Sequence, residues 1–444
     1  IKMNPKLVKA ALEAFFQEQQ QQQGLLWDRG QPIYKSFKRH GRNVGNAYVF
    51  GIDALGSLLE LLPPEEFRPY LENLKRALEW MESNQDIEVI PDYCDPETGQ
   101  CFGKALRGWS SPHLSPPGGP KAWSTAQCVT CLIRMRRIVR QLLHNDVLEE
   151  FRGKRQHHLG PDDTAWNRLL DSDLGTPGPS CQTIKCVLEQ RVIQPFSNCA
   201  PTSPSVGAAY STILFGTPGT AKTTITESLA SKMGWDFVCI DTSVFLADGL
   251  SNIAARIRYV FTRLEALSQC VILFDEIEEF CLDRENPSLS MQSRMLTTAM
   301  LTAINDLRRT KQSVFFLATN RLRAFDSAII RPGRFDMQIF VGTPNLEARV
   351  ILLKQALSSS ISATAKDKAI TTYREFLESE WTKDAMFMNF LEGKQFATSV
   401  ASIVNSGREL EREELERILS QQAAVMTARG PVREEYIAQM DLSR

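Results

Sequence analysis

The sequence predicts an α/β fold. A parallel sheet is covered on both faces by helices, preceded by a mostly α-helical domain and followed by a helical block. Three observations carry this expectation. Between about residues 160 and 345, five short runs alternate with helical patterns: Ser211–Phe215, Asp236–Asp241, Cys270–Phe274, Ser313–Thr319 and Gln338–Val341. They are apolar on both sides of the strand period, as strands are when helices bury both faces. The first run enters a glycine-containing turn that opens a helix, and the third ends in two carboxylates. On either side of this block the apolar spacing changes to the helical period.

A chain of 444 residues is long enough for about three domains. The divisions expected are 1–156, a helical recognition or scaffold domain; 160–345, the sheet domain; and 346–444, the helical lid. In the first, Pro5–Gln22, Asn46–Leu62, Glu65–Ser83 and Ser124–Leu143 have helical spacing. Asp92–Lys121 is rich in Gly and Pro and reads as loop. The tract Gln19–Gln23 reads as an exposed helix end or linker. In the last block, Glu409–Leu419 sets apolar residues at helical spacing among charged ones, a solvated helix face.

Composition excludes several function classes. Lys and Arg total 51 against 52 Asp and Glu, so the net charge of −1 does not describe a general polyanion binder. Two local basic clusters stand out, Tyr34 to Arg42 and the set Arg134, Arg136, Arg137 and Arg140. Nucleic acid is therefore the weaker alternative partner, and solvated faces the preferred account. The longest apolar runs, such as Val271–Phe274, are too short to cross a bilayer, and no membrane association is expected. No signal peptide is visible, although the chain opens at Ile1 without a Met. Ten cysteines are too few for a disulfide scaffold, which points to a reducing, cytoplasmic setting. Cys94, Cys101, Cys128 and Cys131 have a loose zinc-like spacing, but the last two fall in a helical run and read better as buried thiols.

The chemistry is concentrated in the middle block. Gly216-Thr217-Pro218-Gly219-Thr220-Ala221-Lys222-Thr223 follows a strand and opens a helix, with Thr224 next. A phosphate-binding loop needs that context: glycines let the backbone curl so that N–H groups converge on one phosphate, and the helix N-terminus adds its partial positive charge. Lys222 would reach the β- and γ-phosphates of a nucleoside triphosphate, and the Thr223 hydroxyl would bind Mg²⁺. Ala221 occupies the position where a second glycine is usual, which is tolerable if its φ is negative. Asp275 and Glu276 end an apolar strand; Asp275 would join the Mg²⁺ shell, and Glu276 would orient and deprotonate the attacking water.

Through these motifs the block resembles the AAA (AAA+) ATPases, in particular the AAA clade with a second region of homology. Leu174-Gly175 ahead of a helix, with Pro195 closing it, looks like the segment packing on adenine. Asp275-Glu276-Ile277-Glu278-Glu279-Phe280 followed by Arg284 looks like the extended Walker B region. Phe316-Leu317-Ala318-Thr319-Asn320 looks like sensor 1, which would make Asn320 a positioner of the water. Asp326 to Asp336 is the strongest match, and implies that Arg331 and Arg334 reach the γ-phosphate held by a neighbouring subunit. The resemblance covers about residues 170 to 440. It implies a P-loop NTPase fold with a helical lid, ATP hydrolysis with Mg²⁺, and assembly into a ring, most often a hexamer. The amino-terminal block faintly resembles the helical hairpins of α/α-toroid proteins such as terpene cyclases and six-hairpin glycosidases, on Trp109 and on Gly118 to Ala126 opening a helix. It shows no catalytic pair of carboxylates and reads as a recognition or scaffold domain.

Two segments depart from the family pattern. The stretch aligned with the central pore loop reads Asp248-Gly249-Leu250-Ser251 and lacks the aromatic residue that grips a threaded polypeptide; Phe245 reads as core. The lid stretch Glu392–Thr398 lacks the usual helix start, so no lid residue is assigned to the nucleotide. The expected function is an ATP-hydrolysing ring that remodels or regulates a protein partner recruited by the amino-terminal domain. An ATP-gated switch or scaffold activating a separate effector is the alternative, and a nucleic-acid translocase a further one.

Overall fold

A computed structural model describes residues 5–21, 48–110, 119–155, 163–174, 182–197, 207–326, 329, 334–380, 387–425, 434, 436–438 and 440–441. The chain falls into two compact units, Ile1–Asp146 and Val147–Arg444. This boundary precedes the expected one at 156, and residues 346–444 stay in the unit of the sheet.

The first unit contains α1 (Pro5–Gln21), α2 (Tyr48–Leu61), a 3-10 segment Pro64–Tyr70, α3 (Leu71–Ser83), strands β1 (Asp86–Cys94) and β2 (Cys101–Gly108), and most of α4 (Ala122–Glu150). Pro69 interrupts Pro64–Tyr70 and lacks an N–H, so the run from Glu65 is not one α-helix. Leu12, Phe16, Leu55, Phe67, Leu74 and Met81 form its apolar core with Trp109, Cys128 and Cys131.

Part of the expected loop over 92–121 is instead the second half of an antiparallel hairpin. Asp95 turns it: its carboxylate accepts the Glu97 N–H at 3.0 Å and the Thr98 hydroxyl at 2.6 Å, and Gly99 supplies φ 69°. Gly103 and Gly108 of this stretch sit in a strand whose pairing with β1 holds it extended. Among the thiols Cys94 differs from expectation, while Cys128 and Cys131 are buried as expected. Cys94 is disulfide-bonded, and the hairpin sets Cys101 opposite it. Cys128 and Cys131 are free and buried in the core, with burial pushing both thiols up to about 12. Among the described residues no group of three or more His, Cys, Asp or Glu could hold a metal. Of the basic clusters, Tyr34 to Arg42 lies outside the described residues, while Arg134 and Arg137 both pair with Glu60, at 3.1 and 3.4 Å.

The second unit holds α5 (Asp163–Arg168); α6 (Ile184–Leu188), which runs on through a π turn Glu189–Ile193 and Gln194–Ser197; β3 (Ser211–Phe215); α7 (Lys222–Met233); β4 (Asp236–Ile240); α8 (Thr242–Leu246); and α9 (Ile253–Leu264). Then follow β5 (Cys270–Asp275), α10 (Met291–Thr310), β6 (Val314–Thr319), β7 (Met337–Phe340) and the lid helices α11 (Leu346–Ala356), α12 (Ala363–Glu380), α13 (Phe390–Asn405) and α14 (Arg412–Val425). The strands are ordered β4-β5-β6-β3-β7, all parallel.

Successive side chains of a strand face opposite sides, and both sides here are apolar. Ile213, Phe215, Ile272, Phe274 and Phe315 pack with α9 and α10 on one face. Leu214, Val271, Leu273, Phe316 and Ile339 pack with α6 and α7 on the other. Phe245 belongs to the first core, as expected. Residues 147–155 join this unit: Lys154 and Phe237 exchange backbone hydrogen bonds of 2.7 and 2.9 Å. The lid closes on its own core of Leu353, Tyr373, Phe376, Phe396 and Leu415. No described helix is long and apolar enough to cross a membrane.

Candidate nucleotide-binding site

Parallel topology brings the carboxyl ends of β3, β5 and β6 to one edge of the sheet, where ligands of such folds bind. At the end of β3 the chain must turn sharply. Gly216 is required there because a Cβ would lie 2.2 Å from the Val341 carbonyl oxygen. Gly219 has φ 78° and Ala221 has φ 64°, ψ 29°. The Ala221 φ is thus positive, contrary to the condition under which a methyl group is tolerated. The left-handed region costs a non-glycine residue about 1–2 kcal/mol. The curl is held by Thr220, whose hydroxyl donates to the Thr217 carbonyl at 2.9 Å. Pro218 carries the turn between them, and α7 then starts at Lys222.

Lys222 is buried and well supplied with acceptors. Its Nζ donates to the carbonyls of Gly216 (2.9 Å) and Thr217 (3.1 Å) and to Asn320 Oδ1 (2.8 Å). Burial lowers its pKa to about 8, while Asp275 and Glu278 act in the opposite direction. Thr223 Oγ1 donates to Asp275 Oδ2 at 2.7 Å across the gap between α7 and β5. A hydroxyl and a carboxylate in this pairing are the oxygen donors that Mg²⁺ takes, so the residues fit that ion.

Glu276 follows at the end of β5 with φ 56° and an exposed side chain. Its carbonyl accepts the Thr242 hydroxyl. Backbone strain of this kind concentrates at working sites. Asn320 directly follows β6, and its N–H donates to Glu278 Oε1 at 3.1 Å. The structure thus brings Lys222, Thr223, Asp275, Glu276 and Asn320 to one edge.

Beside Thr220, Ala221 and Thr224 lies a cavity of about 330 Å³, also walled by Leu169, Ser172, Pro344 and Phe390. Its position next to the loop suits the nucleoside end of a nucleotide, and its size is at the lower end for small-molecule sites. Gly175, expected here, lies outside the described residues, and Leu174 packs into the core of the sheet rather than lining the cavity. The lining residues fall a few positions earlier. The lid also contributes, against expectation. α13 starts at Phe390 behind an Asn389 capping box, and the Asn389 side chain lies 3.5 Å from the place of a Cβ on Gly219. Glu278, Thr242, Ser172, Asn389 and Phe390 were not singled out in sequence. Only Asn389 with Glu392 carried a local signal, the capping pair ahead of an apolar run.

Arg334 stands elsewhere. It precedes β7, whose Met337 is aligned with Thr212 near the start of β3. Asp336 anchors that edge: its Oδ2 accepts the N–H groups of Tyr210 (3.0 Å) and Ser211 (3.1 Å), and its other oxygen pairs with Arg308. The five residues of β3 separate this edge from the phosphate-binding loop by about 16 Å at the usual strand rise. Arg334 therefore sits across the sheet from Lys222 of its own chain. Arg331 lies outside the described residues. Arg284 is held by buried Asp326 at 2.6 Å.

Comparison with known proteins agrees with this geometry. Residues 212–343 match the model of the ATPase family associated with various cellular activities (AAA). The chain is 38% identical over 144 residues, 32% of its length, to the ATP-dependent zinc metalloprotease FtsH 1 of Alkaliphilus metalliredigens, covering 24% of that protein. It is 30% identical over 142 residues to the cell division cycle protein 48 homolog of Archaeoglobus fulgidus, covering 32% of this chain and 19% of the relative. The ribosome biogenesis ATPase RIX7 of Saccharomyces cerevisiae is 29% identical over 187 residues, 42% of this chain and 22% of that one. The chain thus spans a quarter or less of the length of these relatives. Sheet, phosphate-binding loop and family match coincide over the same residues, so this segment of the chain is similar to the ATPase domain of the AAA family.

Proposed function

We propose that this chain binds and hydrolyses ATP with Mg²⁺ within a ring of identical subunits, and that the cycle remodels or regulates a protein partner. The observation that carries the reading is the division of the site. Lys222, Thr223, Asp275, Glu276 and Asn320 converge at one edge of the sheet, while Arg334 occupies the opposite edge. A γ-phosphate on the loop would lie beyond reach of the arginine of the same chain, and a neighbouring subunit would complete the charge stabilisation.

In this mechanism the N-terminus of α7, Thr217 to Ala221 and Lys222 hold the phosphates, with Thr224 and the cavity taking the nucleoside. Thr223 and Asp275 would hold Mg²⁺, which would supply charge neutralisation for the phosphates. Glu276 accepts the proton of the attacking water, and Asn320, fixed by Glu278, orients that water. Arg331 and Arg334 of a neighbour offset the charge that develops on the γ-phosphoryl group. A hexamer is the ring proposed, with partner recruitment by residues 1–146 and a cytoplasmic, ATP-supplied setting.

The second reading is an ATP-gated switch that activates a separate effector. The central loop favours it: Asp248-Gly249-Leu250 carries no aromatic side chain, and Phe245 is buried in the core. Glu276→Gln separates the two. It should keep ATP binding and lower turnover about 10²–10⁴-fold. A remodelling motor then loses its output on the partner, whereas a switch is locked on. Loss of ATP binding in Glu276→Gln would contradict the role given to Glu276.

A further inference from the structure

Arg349 does not line the cavity, yet its guanidinium bonds Pro344, which does, and Met388, two residues before Phe390, which also does. It lies on α11 and is fully buried. Its Nε donates to the Pro344 carbonyl at 3.0 Å, and its Nη2 to the Met388 carbonyl at 2.8 Å. Pro344 lines the nucleoside cavity itself. Met388 leads directly into Asn389, whose side chain stands against Gly219, and then into Phe390, which also lines the cavity.

A buried cation is expensive. Burial lowers the Arg349 pKa to about 10, while Tyr373, Tyr436 and Glu392 favour its charged form, so it is a cation at neutral pH. Glu392 also accepts the Asn389 N–H at 3.0 Å in the capping box. One carboxylate therefore serves both the arginine and the entry of α13. Apolar residues of similar volume are often as stable as buried charge. Stability alone is thus a poor account of a guanidinium here, whereas a rigid fork spanning two carbonyls from separate segments is a good one.

We propose that Arg349 is a positioning residue for nucleotide binding. It fixes the elbow at Pro344 and the entry of α13 to each other, so that Asn389 and Phe390 are held over the phosphate-binding loop. The inference rests on the reading that this cavity takes ATP.

The test uses the full chain with Arg349→Lys, Arg349→Met and Asn389→Ala, read by steady-state kinetics, fluorescent ADP binding and urea unfolding. Arg349→Lys keeps the charge and loses the fork. It should fold, raise the KM for ATP about tenfold and change kcat by less than about threefold. The Arg349→Lys, Asn389→Ala double variant should be no weaker in ADP binding than the weaker single, because both act through one wall. Nucleotide affinity within about twofold of the parent in Arg349→Lys, or strictly additive losses in the cycle, would overturn the proposal. Arg349→Met that folds and binds normally would overturn it as well; if it fails to fold, the lysine variant and the cycle decide. A parent chain that binds no MgATP, indistinguishable from Lys222→Ala, would remove the underlying reading of the cavity and this inference with it.

Discussion

Ala221→Gly should make the protein more stable. Ala221 is held at φ 64°, ψ 29° at the mouth of α7, where its methyl group opposes the backbone. Relief of a left-handed alanine is worth about 1–2 kcal/mol. The greater freedom of glycine in the unfolded chain takes back about 0.5–1 kcal/mol. The net gain is about 0.5–1 kcal/mol. In a unit of this size that raises the Tm by about 1–4 °C. Thermal unfolding with and without MgATP reads it directly. Ala221→Val should move the Tm the other way, because a β-branched residue is a severe misfit at positive φ. A lower Tm for the glycine variant, or an unchanged one for valine, would refute the strained geometry assigned to the loop.

Three further outcomes follow from the same structure. Lys222 has its pKa lowered to about 8 by burial, from an ordinary 10.5. Its ammonium is thus disfavoured by folding: the cost is complete below pH 8 and is relieved as pH rises from 8 towards 10.5, so the stability of the nucleotide-free protein gains over that window. MgATP affinity should run oppositely, falling about tenfold between pH 7 and 9 as the ammonium is lost, with proton uptake visible by calorimetry in buffers of different ionisation enthalpy; Lys222→Arg should abolish the dependence. Asp336→Ala leaves the N–H groups of Tyr210 and Ser211 without their carboxylate and should cost about 2–4 kcal/mol in urea unfolding, whereas a loss under about 0.5 kcal/mol would contradict its anchoring role.

The sheet was legible because its five strands are buried on both faces and written as short apolar runs, each punctuated by a turn or a helix. The edge carrying the candidate site was legible for a related reason. Chemistry at strand ends is local: Gly216 to Thr223 and Asp275-Glu276 are each contiguous. What escaped was set by dihedrals or by distant packing. The sequence names Ala221 but not the sign of its φ. The walls of the cavity come from residues 165–172, Pro344 and Phe390, which only the closed fold assembles. The hairpin over 86–108 was half hidden because Pro91, Gly103 and Gly108 read as breakers within strands whose pairing is set across the turn. The place of Arg334 became informative once the parallel order of β3 and β7 put it on the opposite edge from Lys222.

That division of the site is the central claim, and mixing two inactive variants tests it. Lys222→Ala cannot hold ATP but keeps its arginines. The double variant Arg331→Ala, Arg334→Ala holds ATP but lacks them. If neighbours complete each other's sites, each preparation alone should be inactive, and their mixture should regain ATP turnover with a maximum at an intermediate ratio, rising with protein concentration. Mixtures that co-purify as one assembly yet stay inactive at every ratio would contradict the account.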